Sequence, residues 1–210
     1  MKTKSARNPY RYLLLGILLF APVTCAAQDS ADALTRLQIL TSSITTLCCN
    51  FTQRTNILLL AEPVVSKGKM LFQIPNKLVW EIMEPMQEGF VLNEDSGYRW
   101  DENRKNRRSF KTSDDQLAKL ISTQIRAWVK FDQKWLQSKY SIHVEQDHPL
   151  CLALVPRNSE ARSTVSLIRI VFANNGVAMS VELQEANGNN TFIIFENVHV
   201  NKHIDNQEFE

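Results

Sequence analysis

The chain has 210 residues, a formal net charge of +2 and 44% hydrophobic residues. This length predicts one globular domain with a buried core. The nearly balanced charge argues against a general nucleic-acid-binding protein, which would carry an excess of basic residues on one face.

Residues 1–27 have the layout of a secretory signal peptide. Four basic residues precede or open an apolar run at 12–20, and the small residues Cys25-Ala26-Ala27 follow it. This succession predicts cleavage after Ala27, and the apolar run is shorter than the about 20 residues of a membrane span. An exported single domain, 28–210, would remain, and its net charge would fall from +2 to −2 because the lost segment carries four basic residues and no acidic ones.

Two other interpretations of this segment stay open. One is an uncleaved membrane anchor, and the other is a lipoprotein signal acylated on Cys25. Against acylation, Pro22-Val23-Thr24 does not match the residues that usually precede a lipoprotein cysteine.

The predicted elements begin with an amphipathic helix over 30–46, with Asp29-Ser30 at its N-cap. Its apolar face recurs at helical spacing and comprises Leu34, Leu37, Leu40 or Thr41, Ile44 and Leu47. Alternating apolar and polar residues between turn signals then predict six strands. They lie at 49–60, 65–74, 77–83, 88–93, 97–102 and 107–111.

From Ser113 the apolar period becomes helical. It predicts a helix over 114–129 and a short second helix over 131–137. Five further strands are predicted at 139–146, 150–156, 165–173, 176–185 and 190–196. A sheet of about eleven antiparallel strands must curl, split or close to bury its apolar face. A half-barrel capped by helices satisfies that requirement.

Residues 51–100 carry the most specific pattern of the chain. Phe51-x-Gln53 is followed by a strand that contains Gly68, then by Pro75-x-x-x-x-Trp80 and by Pro85. In this order and spacing the residues resemble the periplasmic outer-membrane lipoprotein carrier family (LolA-like). The resemblance implies a mainly β, α+β fold: an incomplete antiparallel β-barrel of about eleven strands with an N-terminal helix and a helical lid.

The resemblance also implies a function. Such a protein is a periplasmic carrier that binds the acyl chains of a lipoprotein, or of other acylated lipid cargo, and shuttles it from the inner to the outer membrane. The implied partners are an inner-membrane ATP-driven releasing complex and an outer-membrane lipoprotein receptor. No cofactor, metal or nucleic acid is implied, and the expected protein is a monomer without enzymatic activity.

Two sets of residues are the candidates for this function. An aromatic-rich sheet face can line a cavity for one apolar ligand, or it can form an ordinary core. The candidate lipid-cavity residues are Phe51, Met70, Phe72, Ile74, Leu78, Trp80, Phe90, Leu92 and Trp100. The candidate lid residues are Leu117, Leu120, Ile121, Ile125 and Trp128.

One position departs from the family pattern. Family members commonly carry a basic residue directly before the strand proline, where it ties the lid in the closed state, whereas this chain has Ile74. A latch of that type is therefore not expected, and lid closure would depend on apolar contact. The identity of the cargo stays open for the same reason.

The remaining motifs point to no chemistry. His199-x-x-x-His203 has the spacing of a helical metal pair, but it lies in a strand-like segment that would hold the rings about 13 Å apart. The basic run 104–108, with Lys111, is typical of a solvated hairpin tip. Cys48 or Cys49 pairs with Cys151, or all three are free thiols.

No catalytic motif is present in the sequence, which contains neither a nucleophile elbow nor a glycine-rich phosphate loop. Three alternatives to a lipoprotein carrier remain. They are a divergent carrier for a glycolipid or polyene export system, a non-transporting envelope adaptor that binds protein, and a lipid-ester hydrolase.

Overall fold

The structure is a computed structural model, and it describes residues 25–101 and 106–210, without the side chains of 25–29 and 116–122. The expected signal peptide and its cleavage site therefore fall almost wholly outside the described residues. The helices are α1 (Cys25–Ser42), α2 (Gln116–Val129), α3 (Gln133–Lys139) and α4 (Ser159–Arg162), and a 3-10 helix spans Asn206–Phe209. The strands are β1 (Thr46–Asn56), β2 (Val64–Gln73), β3 (Lys77–Glu84), β4 (Glu88–Asn93), β5 (Ser96–Trp100), β6 (Arg108–Lys111), β7 (Tyr140–Asp147), β8 (Leu150–Pro156), β9 (Val165–Phe172), β10 (Ala178–Glu185) and β11 (Asn190–Val200).

In the described part of the chain, these strands form one sheet of eleven strands in the order β6-β5-β4-β3-β2-β1-β11-β10-β9-β8-β7. All neighbouring pairs are antiparallel. The first and last strands of the order, β6 and β7, do not pair with each other, so the sheet stays open. The predicted fold class, an incomplete barrel of about eleven strands with helices, is confirmed.

One face of the sheet, which we call the inner face, carries two apolar clusters. The first lies on β8, β9 and β10 and packs against Leu34 and Leu37 of α1. The second lies on β1 to β4 and packs against Ile125 and Val129 of α2. Because Ala127 of α2 belongs to the first cluster, this helix bridges the two halves of the inner face. A sheet that meets one helix from both halves must be curved around it.

The opposite, outer face is covered by the C-terminal segment. Ile204 and Phe209 are buried there against Val79, Val91 and Trp100. Lys77 fixes the segment, since its ammonium group donates to Asn206 at 3.0 Å and lies 5.5 Å from the Phe209 ring centroid. This covering explains why residues on both faces of β3 and β4 are buried.

Several predicted boundaries were wrong. The first helix ends at Ser42 rather than at 46, because Thr46 already pairs with Gln73 and Ile44 and Leu47 join the sheet side of the core. The first strand ends at Asn56 rather than at 60, because its last partner is Asn190, where β11 begins. Conversely, β11 runs on to Val200, opposite Leu47.

Within the described residues, no helix combines the length and the apolar character that crossing a membrane requires.

Candidate functional site

The inner face presents two connected features, a small cavity beneath α2 and an open groove at one end of the sheet. The cavity has a volume of about 20 Å³, which holds about one water molecule. Its lining is apolar and comprises Ile44, Leu47, Cys49, Met70, Ile125, Trp128, Val129, Val177, Ala178, Phe195 and Val198. Between the sheet and the described side chains of α2, from 123 to 129, the space is therefore nearly filled.

The groove is much larger, about 360 Å³, and it lies beside β3, β4, β5 and the start of β6. Its apolar wall is made by Trp80, Ile82 and Phe90, all half-buried. Its polar lining includes Arg99 and Arg108, which face each other across β5 and β6, and also Glu88, Asp101 and Asn106. Because the three apolar residues also pack against the cluster beneath α2, the groove is continuous with the apolar interior.

The structure brings most of the predicted cavity residues together on the inner face. Five of them are buried in the cluster beneath α2: Phe51, Met70, Phe72, Leu78 and Leu92. The side chains of Trp80 and Phe90 lie on the same face, directly opposite each other on β3 and β4. The predicted set therefore divides into a buried floor and a half-exposed groove wall.

Two predicted cavity residues do not join this set. Trp100 lies on the outer face, because it pairs with Gly89 and so points away from Phe90, into the cluster with Val79 and Val91. It also contributes to the lining of the groove. Ile74 is 37% exposed and follows the end of β2, at the end of the sheet remote from the groove.

Two of the predicted lid residues have described side chains, and both pack onto the inner face. Ile125 is buried, and Trp128 is half-buried and lines the cavity. The side chains of Leu117, Leu120 and Ile121 lie outside the described residues. Among the described groups, the buried Nε1 of Trp128 has no hydrogen-bond acceptor.

Polar contacts also fix both ends of α2, which the sequence did not suggest. At the C-terminal end the Lys130 ammonium group donates to the carbonyls of Ser42 at 2.7 Å and Ile44 at 2.8 Å. Burial lowers the pKa of this amine. Near the N-terminal end Arg99 forms an ion pair with Asp115. The expectation of lid closure by apolar contact alone is therefore incomplete.

A third polar contact joins α2 to the sheet. The Arg126 guanidinium donates to Asn76 Oδ1 at 3.1 Å, in the turn between β2 and β3. The family latch is predicted from a basic residue directly before the strand proline. Lys130 and Arg126 are not near a proline in sequence, so that motif does not reveal them.

Sequence reasoning also missed the contribution of the C-terminal strands. Val177, Phe195 and Val198 line the cavity from β11 and the segment before β10. The apolar run Phe192-Ile193-Ile194-Phe195 carried a weak signal, but only the pairing of Phe51 with Phe195 places it beside the N-terminal strands.

Among the other sequence motifs, the histidine pair lies apart from this site, whereas Cys49 lines the cavity and Arg108 lines the groove. In the described ranges, no group of three or more His, Cys, Asp or Glu side chains is placed to hold a metal ion. His199 lies in β11, opposite Cys48, and His203 follows the end of that strand. Cys48, Cys49 and Cys151 are free thiols, so the predicted alternative without a disulfide is the one observed.

The basic run lies at the groove end of the sheet. Its first two residues fall outside the described residues, and the next ones, Arg107 and Arg108, are exposed as expected for a hairpin tip. The Arg107 guanidinium lies 4.4 Å from the ring centroid of Tyr98.

Comparison with solved structures supports the fold. A chain of the complex of Pseudomonas aeruginosa MucA and MucB superposes with a TM-score of 0.51 at 14% identity, and a crystal structure of MucB superposes with 0.52 at 13% identity. Both comparisons cover 87% of this chain but only 60% and 62% of the other, so this chain spans about three-fifths of their length. A LolA superfamily protein from Nitrosomonas europaea gives a TM-score of 0.45 at 9% identity, over 86% of this chain and 96% of that one.

No curated protein sequence matches this chain significantly. The family model described as outer membrane lipoprotein carrier protein LolA matches residues 42–210, from the end of α1 to the last residue. This match covers all eleven strands of the sheet and the helix that bridges them. The chain therefore belongs to the LolA family of outer-membrane lipoprotein carrier proteins.

Proposed function

We propose that this protein is an extracytoplasmic carrier that binds the acyl chains of a lipoprotein, or of another acylated lipid, between α2 and the inner face of the sheet. The observation that carries the proposal is the apolar groove wall of Trp80, Ile82 and Phe90, which is continuous with the cluster beneath α2. The volume of the groove, about 360 Å³, lies within the range of about 300–1,000 Å³ typical of small-ligand sites.

The physical task of such a carrier is to shield acyl chains from water and still release them. Each methylene group removed from water contributes about 0.8 kcal/mol, so an acyl chain needs an apolar surface of comparable extent. The groove supplies part of that surface. The cavity beneath α2, at about 20 Å³, is too small for the rest. A longer chain would therefore enter only as α2 moves away from the sheet.

The contacts of α2 suit it for such a movement. Its apolar side, including Ile125 and Val129, would exchange contacts with the sheet for contacts with the acyl chain. The Lys130 hydrogen bonds to Ser42 and Ile44 would hold the helix in its closed position and would break as the acyl chain enters. The unpartnered Nε1 of Trp128 offers a donor to the carbonyl of an acyl ester or amide.

The partners and the processing belong to the same proposal. A releasing complex in the inner membrane would load the carrier, an acceptor in the outer membrane would unload it, and the carrier domain would be residues 28–210 after loss of the signal peptide. No metal, nucleotide or catalytic residue takes part in this scheme.

The test is extraction of lipid from the protein purified out of the cells that produce it, followed by mass spectrometry. Acyl species in stoichiometric amount support the carrier. Conversion of an added lipid ester to free acid would instead identify a hydrolase.

A second candidate, a non-transporting envelope adaptor, is favoured by one observation: the interior beneath α2 is nearly filled. An adaptor would copurify with a protein and without stoichiometric lipid. Saturable binding of a fluorescent fatty-acyl probe distinguishes the carrier from the adaptor, because an adaptor with a filled interior would not bind the probe.

A further inference from the structure

The turn between β1 and β2 exposes three consecutive leucines, which we call the leucine tip. Leu58, Leu59 and Leu60 are 71%, 94% and 51% exposed. Soluble proteins seldom expose contiguous apolar side chains without a binding role. The leucine tip is therefore a candidate contact surface.

The leucine tip belongs to a structured turn. The Leu60 amide donates to the Ile57 carbonyl at 2.9 Å, and the Leu58 amide donates to Asn189 Oδ1 at 3.1 Å. The Leu58 side chain also rests on the neighbouring turn between β10 and β11, where a Cβ at Gly188 would lie 2.8 Å from its Cδ1 atom. Two turns thus brace the tip, and its exposure follows from a defined conformation.

The surrounding end of the sheet is unusually apolar on the same side of the molecule. β1 ends here, β2 begins here, and β3 ends here, since Lys67 pairs with Glu84. Four further exposed apolar side chains occupy these strand ends and their turns: Val64, Val65, Met83 and Met86. The other turns of this end, at 157–164 and 186–189, are composed mainly of polar and small residues.

The groove opens at this same end. Ile82 and Glu88 lie at the end of β3 and the start of β4, and Arg108 begins β6. A surface that contacts the leucine tip would therefore lie beside the groove.

We infer that the leucine tip inserts into the interfacial region of a lipid bilayer. The tip is a convex hairpin end, and it has none of the tryptophan, tyrosine or arginine residues that anchor protein interfaces. A fluid bilayer makes no demand for shape complementarity and accepts apolar side chains about 5–10 Å below the headgroups.

The charges near the leucine tip fit the same arrangement. Arg54 is exposed and lies four residues before Leu58, about 13 Å away along an extended strand. With the leucine tip inserted, this distance would place the Arg54 side chain at the level of the lipid phosphates.

Glu62 is the acidic residue of the turn, and Lys67 is paired with Glu84 at 3.1 Å. The charges of the turn nearly balance, whereas Arg107 and Arg108 are exposed at the same end of the sheet. These two arginines would add attraction to anionic lipid, and apolar insertion of the leucine tip supplies the binding that remains at high salt.

The test is flotation with vesicles of phosphatidylethanolamine and phosphatidylglycerol, using protein purified from cells with its N-terminus determined by mass spectrometry. We expect Leu59→Gln to reduce the vesicle-bound fraction at least about tenfold, because a leucine in hydrocarbon contributes that much to partitioning. The matched control is Ile39→Gln on α1, which is 66% exposed and should bind like the wild type. Neither residue is packed, so thermal unfolding of both variants should be unchanged.

Four outcomes would overturn the inference. The first is absence of wild-type flotation, and the second is equal loss in both variants. The third is loss of self-association by Leu59→Gln in sedimentation at unchanged flotation, which would make the tip an interface between copies. The fourth is a signal abolished at high salt, because apolar insertion does not depend on charge. Vesicle binding requires no added acyl probe and reads out the leucine tip and not the groove, so its failure is distinct from failure of the proposed carrier function.

Discussion

The side chains of Phe51 and Trp80 stack across the strand that separates them, with their ring centroids 4.2 Å apart and their planes at 23°. Phe51 lies on β1, Trp80 on β3, and Gly68 of the intervening β2 is the register partner of Phe51. A Cβ at Gly68 would lie 2.4 Å from the Phe51 ring. The glycine of the sequence pattern therefore makes room for two aromatic residues to meet.

Replacing this glycine should destabilise the fold. In Gly68→Ala the added methyl group would lie 2.4 Å from Phe51 Cζ and 2.1 Å from the Glu81 carbonyl oxygen, so the rings or the strands must shift. We expect a loss of about 1–3 kcal/mol in the free energy of unfolding, as for other overpacked cores. Urea denaturation measures it, and an unchanged midpoint would show that the strands adjust freely.

The half-buried tryptophan of the groove should matter more for binding than for folding. Trp80→Gln removes one aromatic side chain from the wall of the groove. It should weaken the binding of a fluorescent fatty-acyl probe about tenfold. The matched control is Trp135→Gln, a half-buried tryptophan on α3 that packs against the other apolar cluster. If the affinity for the probe, measured per folded molecule, falls by the same factor in both variants, the groove is not the site where the probe binds.

The lysine at the end of α2 should control the movement of this helix. Lys130→Met retains most of the side-chain bulk and removes the two hydrogen bonds to Ser42 and Ile44, which would weaken the closed position by about 1–3 kcal/mol. Because cargo enters as α2 leaves this position, the acyl probe should load about tenfold faster or more in stopped-flow mixing. The exposed Lys134→Met on α3 serves as control, and equal loading rates in both variants would contradict this role.

The buried thiol of Cys49 should contribute to the loss of stability at alkaline pH. Burial is the main cause that raises its pKa to about 12, with a smaller contribution from Cys48. The unfolded state ionises above about 9 whereas the folded state does not, so stability is retained below pH 9 and declines as pH rises from 9 toward 12.

Cys49→Val keeps an apolar side chain and removes this titration. The difference in unfolding free energy between wild type and variant should therefore change, in favour of the variant, between pH 9 and pH 12. Chemical denaturation at stepped pH measures this difference. A difference that stays constant across that range would show that Cys49 ionises equally in both states.

The strand pattern by itself determined much of the architecture. Alternation in 65–83 and 88–93 predicts strands whose apolar residues share one face, and Trp80 and Phe90 do face each other on the observed sheet. The helical period after Ser113 predicts α2 and its apolar side, because periodicity depends on local backbone geometry that the sequence reports directly.

The tertiary structure decided which face each aromatic residue serves. Trp100 has the same residue type and the same short strand context as Trp80, yet its register with Gly89 turns it outward beneath the C-terminal segment. Likewise, Lys130 is an ordinary surface lysine in sequence, and only the approach of α2 to the end of α1 gives it two backbone carbonyl partners. Register and helix docking depend on contacts between residues far apart in the chain, and a pattern of neighbouring residues does not contain them.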